Sequence, residues 1–190
     1  FARNPDGSLD LGYLHADPLL DPGATYTVQA ALTAATIADL RAAGARYPEW
    51  VRQRYLQLPP EITARTRALA QELAAGRQTP YDIAQAITRY LRSAIQYQTT
   101  IDAPPRGQEV VDWLLFDYRK GFCNYYATAE VVLLRSLGIP ARLAVGYAQG
   151  EYHRIPAEDS LPQPGEPQGG QGPPETAAAR YTVRQKDLHA

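Results

Sequence analysis

An α+β domain is the fold this sequence predicts, and three observations predict it. Several segments between Ala35 and Tyr118 carry helix signals or apolar residues at helical spacing. From Asn124 to Leu137 the chain is apolar nearly all round, which suits a helix in the middle of a domain. Beyond Pro140, alternation with a period of two takes over. A helical region, one buried helix and then strands is an α+β order.

Residues 1–24 are rich in Gly, Pro and Asp and read as loops and turns. "TYTVQAAL" (Thr25 to Leu32) alternates, with Tyr26, Val28, Ala30 and Leu32 on one face, and predicts a half-buried strand. "ATIADLRAAG" predicts a short helix with Thr36 as its cap and Gly44 as its stop. "PEWVRQRYLQLPP" leads into a clearer helix. Pro59 and Pro60 precede it, Glu61 falls in its first turn, Ile62, Leu69 and Leu73 form one stripe, and Gly76 ends it. The next start combines Thr79 as cap, Pro80 at the first helical position and Asp82 three after the cap. Ile83, Ile87, Leu91 and Ile95 then give a buried face, with an end near residues 93–97.

"EVVDWLLFDYRKG" reads as a short helix and a turn. The buried helix follows. Its apolar surface is interrupted by Glu130, Arg135 and Ser136, and Gly138 and Pro140 forbid its continuation. "ARLAVGY" predicts a strand with Ala141, Leu143, Val145 and Tyr147 on one face. Residues 156–174 ("PAEDSLPQPGEPQGGQGPP") are of low complexity and predict a long surface loop. "RYTVRQ" alternates again and predicts a strand returning to the sheet begun at Ala141. Residues 1–50 read as an N-terminal extension with a strand, and 51–190 as the core.

The totals exclude several classes. In 190 residues there are 45% hydrophobic and 21% charged residues, enough apolar material for one core. The net charge of −1 is spread evenly and leaves no footprint for nucleic acid or a polybasic membrane patch. No stretch approaches the roughly 18 apolar residues of a membrane span, and no signal peptide is visible. The chain starts at Phe1 and contains no methionine, so it is expected to be a piece of a longer protein. No Cys/His cluster has zinc-ligand spacing, no Gly-rich phosphate loop occurs, and no cofactor is expected.

Cys123 is the single cysteine. Taken alone, a free cysteine is a small hydrophobe. Its position alters that reading, because it follows Gly121 at the start of the predicted buried helix. Free N–H groups and the positive end of the helix dipole favour a thiolate there, the nucleophilic form. The glycine is expected to keep the approach to sulfur open, and the N–H of Cys123 to help hold an oxyanion. Three histidines are candidate bases. His15 lies in a Pro/Asp-rich loop, His153 comes 30 residues after the cysteine, and His189 comes 66 after it. Spacing alone does not choose between the last two.

"GFCNYYA", "VVLLRSLGIPAR" and "VGY", with the ending "YTV…HA", resemble the transglutaminase-like superfamily of papain-related cysteine enzymes. The resemblance runs from about Gln57 to Gly150 and again from Tyr181 to Ala190. It is greatest to a bacterial subgroup in which this domain is the extracytoplasmic part of a membrane protein. It implies a transglutaminase-like/papain-like core with an antiparallel sheet. It implies Cys123 as nucleophile and His189 as base, the latter from His189-Ala190. Tyr126 matches an aromatic position beside the nucleophile, and Gly146 and Tyr147 match a strand end. Gly121, Asn124, Tyr126 and Tyr147 are the expected substrate-binding residues. The family's orienting Asp follows the histidine and has no counterpart up to Ala190, so this piece is expected to be weakly active or inactive. Asp187 reads as solvent-facing.

Further candidates are weaker. Trp113, Tyr118, Tyr125 and Tyr147 either line an acyl-donor groove or, the more ordinary role, pack. Gln96 or Tyr97 is a candidate second oxyanion donor. Arg135 and Arg142 are expected to pair with nearby acids. Two functions remain open: cysteine-dependent acyl transfer on a peptide or protein substrate, resolved by water or an amine, and a non-catalytic module of the same fold that binds peptide or cell-wall polymer or is purely structural, connecting membrane spans. The parent chain is expected to be membrane-anchored.

Overall fold

The computed structural model describes residues 34–147, 151–154, 179–182 and 188–189, with isolated positions near the N-terminus. The expected strand at 25–32, the loop at 156–174, His15 and Asp187 lie outside the described residues.

Helix α1 (Ile37–Ala42) opens on a capping box. Thr36 Oγ1 accepts from the Asp39 N–H at 3.2 Å, and Asp39 Oδ2 accepts from the Thr36 N–H at 2.8 Å. This helix buries nothing. It is tied to the fold by Arg41, which pairs with Asp82 at 2.8 Å. Helix α2 (Glu49–Tyr55) starts after Pro48, inside a stretch that the sequence leaves unassigned. Helix α3 (Ala64–Ala74) is capped by Thr63. It begins three residues later than Glu61 predicts, because the Thr63 hydroxyl, not the prolines, supplies the cap. Ile62 is buried all the same. Helix α4 (Pro80–Ala94) starts as expected, with Thr79 accepting from the Asp82 N–H at 3.1 Å and Pro80 in the first turn.

Strand β1 (Gln96–Tyr97) follows α4 directly and pairs in parallel with β2 (Lys120–Gly121). Between them lie α5 (Val110–Asp112) and a π-helical turn, Trp113–Tyr118. That turn closes when the Arg119 N–H donates to the Leu114 carbonyl, five residues back, with Arg119 at φ +53°. The Gln96 N–H donates to Arg119 O and the Gln98 N–H to Gly121 O, both at 2.8 Å. These bonds fix the backbone just ahead of Cys123.

Helix α6 (Cys123–Ser136) is the centre. Its Ala129, Val132, Leu133 and Leu134 are buried against Leu69 and Ala70 of α3, Ile87 and Leu91 of α4, and Leu114 and Leu115. Fully burying each such Leu or Ile side chain is worth about 1.5–3 kcal/mol, so this cluster holds α6 in place. A polar tie supports it from below. Buried Asp112 accepts from the Thr63 hydroxyl at 2.5 Å and from both Nε and Nη2 of Arg65, whose guanidinium also reaches Asp117 at 2.9 Å. The start of α3 and the turn leading to β2 are thereby joined.

The expected strand at Ala141–Tyr147 is a correction. Only β3 (Gly146–Tyr147) is paired, while Leu143, Val145 and Tyr147 are 40%, 64% and 61% exposed. The cause is Arg135, whose Nε and Nη2 both donate to Ala141 O, at 2.8 and 2.6 Å, while its Nη1 donates to Gln57 O. The Ala141 N–H donates to Tyr55 O at 3.2 Å. The segment is thus held against the helices at its start. Arg135 therefore binds carbonyls, not the acid expected for it, and Arg142 Nη1 meets the Tyr55 hydroxyl at 3.2 Å.

Strand β4 (Glu151–Arg154) pairs antiparallel with β5 (Ala179–Thr182), and β3 pairs antiparallel with β6 (Leu188–His189). Of the predicted "RYTVRQ" strand, residues 180–182 lie in β5, whose partner is β4 and not the segment at Ala141, and residues 183–185 lie outside the described residues. The return to Gly146–Tyr147 is made further on, by β6.

Candidate active site

The backbone turns into α6 at Phe122, which is extended (φ −117°) and provides no side-chain cap. The N–H groups of Tyr125 and Tyr126 both donate to Phe122 O, at 2.9 and 3.2 Å. Cys123 is therefore the first residue of a 14-residue helix. It is half-buried, and its Sγ lies 3.6 Å from Asn124 Oδ1, within reach of a weak thiol hydrogen bond.

Gly121 has a tighter role than an open approach to sulfur. It is buried, and a Cβ there would stand 2.9 Å from Tyr125 Cβ and 3.3 Å from Leu114 Cδ1. Only glycine lets β2 run this close under the first turn of α6.

His189 reaches the same region from the other end of the chain. On β6 it stands opposite Gly146 of β3, and it is exposed. Cys123 and His189 line one cavity of about 680 Å³. Its walls come from α4, from one face of α6 and from residues 141–144. Tyr126 lines it too. Its hydroxyl donates to Ile95 O at 2.5 Å, and its ring lies 6.1 Å from that of Tyr97. Burial, with Tyr97 next in effect, raises the pKa of this phenol.

Of the expected site residues, Cys123, His189 and Tyr126 are thus brought together at one cavity, and Tyr97 joins them. Asn124 is exposed beside the sulfur, and Tyr147 stands exposed on β3 next to the residue that pairs with His189. Gln96 has its N–H committed to Arg119 O. Trp113 and Tyr118 stack on each other at 4.2 Å, and Tyr125 packs edge-on against Phe122, so these three take the packing role. The backbone of His153 lies on β4 opposite Arg180, and its side chain lies outside the described residues.

Sequence reasoning missed three polar cavity residues: Thr88 and Arg92 of α4, one turn apart, and Glu130 of α6. A signal for Glu130 existed, since it is the sole acid on an apolar helix. Thr88 and Arg92 lie on an ordinary amphipathic helix and gave none. Among the described residues, no group of three His, Cys, Asp or Glu side chains is arranged to hold a metal ion. No helix among them is long and apolar enough to cross a membrane.

Comparison with known proteins adds relatives. The profile of the Transglutaminase-like superfamily matches residues 67–190. Over 101 residues the chain is 42% identical to the uncharacterized protein YebA of Bacillus subtilis, covering 52% of this chain and 14% of that protein. Over another 101-residue match it is 43% identical to a protein-glutamine gamma-glutamyltransferase of Pseudomonas aeruginosa, covering 53% of this chain and 15% of that one. The crystal structure of the periplasmic domain of TgpA from Pseudomonas aeruginosa, bound to ethylmercury, is similar with a TM-score of 0.52 and 33% identity. That match covers 76% of this chain and 44% of the solved one. The chain therefore matches only a small part of the length of these curated relatives, 14% and 15%.

Proposed function

Because the chain belongs to the transglutaminase-like superfamily, we propose that it carries out cysteine-dependent acyl transfer on glutamine side chains of peptides or proteins, with Cys123 as nucleophile and His189 as base. The observation that carries this reading is the meeting of two residues far apart in sequence, Cys123 and His189, at one cavity. A packing cysteine has no need of an imidazole across a cavity, and a nucleophile does. Identity to a named glutamyltransferase supports glutamine as the acyl donor.

In the first half-reaction the sulfur attacks the side-chain carbonyl carbon, forming a C–S bond. The C–N bond then breaks, and ammonia leaves with a proton supplied by His189. The helix start offers N–H groups to the oxyanion, that of Cys123 among them. In the second half-reaction an amine attacks the thioester carbon, the C–S bond breaks, and the amine's proton passes to His189. Water in place of the amine gives hydrolysis. The likeness to a solved periplasmic domain supports an extracytoplasmic setting.

The test is amine incorporation into a glutamine-containing protein by the full-length protein and its Cys123→Ala variant. The reading requires incorporation that disappears in the variant. Equal incorporation by both, or none by either together with no glutamine deamidation, removes it and leaves a binding module.

A further inference from the structure

One polar pair in the cavity is unused by this chemistry. Glu130 is half-buried and lines the cavity together with Cys123. Its Oε1 accepts from the Thr88 hydroxyl at 2.7 Å. That hydroxyl also lies 2.9 Å from Ala84 O, so its single proton is divided between two acceptors. Among the described residues, no cationic side chain forms an ion pair with Glu130. The walls beside it are Leu91, Val131 and Leu134. A carboxylate that lines a cavity without a counter-ion is a ready partner for an incoming cation, which it binds by a charge-assisted hydrogen bond.

The position of this carboxylate limits what the cation is. Cys123 and Glu130 are two helical turns apart on one face of α6, about 10 Å along the axis at 1.5 Å per residue. An ammonium held at Glu130 is therefore too far away to attack the thioester itself. We propose that Glu130, backed by Thr88, selects the acyl acceptor by binding the distal ammonium of a diamine whose other nitrogen reacts at Cys123. This rests on the acyl-transfer reading above. The near nitrogen, unprotonated, attacks the acyl carbon. A C–N bond forms, the C–S bond breaks, sulfur leaves as thiolate, and the proton goes to His189. The methylene chain between the two nitrogens lies along Leu91, Ile95 and Leu134.

Arg92 and Arg142 also border the cavity and carry the opposite sign. Both are exposed, so salt screens them, whereas Glu130 lies further in.

The experiment compares cadaverine with n-pentylamine, which matches its chain but lacks the second ammonium, as acceptors for the full-length protein. A KM for cadaverine about tenfold below that for n-pentylamine is expected, the worth of one charge-assisted hydrogen bond. In Glu130→Gln, and in Glu130→Leu, whose side chain matches its apolar neighbours, the two KM values should converge. Equal values in the wild type, or a difference that survives both substitutions, overturns the proposal. If no amine is incorporated, the acyl-transfer reading has failed, and titration calorimetry on Cys123→Ala then decides the subsite. Cadaverine binding that Glu130→Gln abolishes supports it, and no preference for cadaverine over n-pentylamine overturns it.

Discussion

The Tyr126 hydroxyl donates to the Ile95 carbonyl at 2.5 Å, and this bond pins the C-terminal end of α4 to the first turn of α6. Both residues line the cavity, and the bond aligns the helix that begins with Cys123. Tyr126→Phe keeps the ring and leaves the carbonyl without this donor. A loss of about 1–3 kcal/mol is expected in urea unfolding, with a lower midpoint and an unchanged slope. A midpoint equal to wild type means the bond contributes nothing.

His189→Ala should lower kcat by about 10²–10⁴-fold, the usual worth of a general base, with a smaller effect on KM. Alkylation of Cys123 at neutral pH should slow in parallel, which a role in substrate binding alone does not produce. The same substitution at His153 is expected to retain turnover. The reverse pattern transfers the role of base to His153.

Gly121→Ala forces a methyl group to within 2.9 Å of Tyr125 Cβ. That atom is fixed to the α6 backbone and cannot rotate away. Overpacking of this kind costs about 1–3 kcal/mol. Because the strain is relieved by shifting the start of α6, turnover should fall more than the fraction of folded protein measured by circular dichroism. Wild-type stability and kinetics would show that β2 has slack the structure lacks.

Acid sensitivity follows from two carboxylates whose pKa values the fold depresses. Asp112 is lowered chiefly by hydrogen bonds from Arg65 and then from Thr63. Asp82 is lowered by Arg41 and then by Thr79. A depressed folded pKa means stability that is complete above the unfolded value, about 3.9 for Asp, and lost as pH falls through the folded value. Thermal midpoints should be flat from pH 7 to about 5 and fall below about 4. Asp112→Asn should be less stable at pH 7 by about 1.5–3 kcal/mol, nearer the lower figure because Arg65 is half in solvent. Its deficit should shrink towards pH 3. A constant deficit assigns the effect to shape rather than charge.

Much of the helical body was legible because its signals are local. Thr79-Pro80 and the four-residue spacing of Ile83, Ile87, Leu91 and Ile95 mark α4 within one stretch of chain. Gly138 and Pro140 mark the end of α6 in the same way. The sheet was harder, since pairing is a relation between distant segments. The β1–β2 ladder is four residues in all and has no alternation to detect. The strand expected at Ala141 failed because Arg135, six residues earlier, binds the Ala141 carbonyl, a competition that apolar periodicity does not encode. Cys123 was found from its place ahead of an apolar helix. The reach of His189 to the same cavity needed the β3–β6 register, which composition and spacing do not contain.

That register has a further consequence. The sulfur rides on a helix anchored by a large apolar cluster, whereas the imidazole is placed by cross-strand register, Gly146 opposite His189 and Tyr147 opposite Leu188 among the described residues. A slip of one residue there would rotate His189 to the opposite face of its strand. Whatever shifts this pairing can therefore silence the proposed chemistry without unfolding anything, leaving the thiol in place but with no imidazole at its cavity.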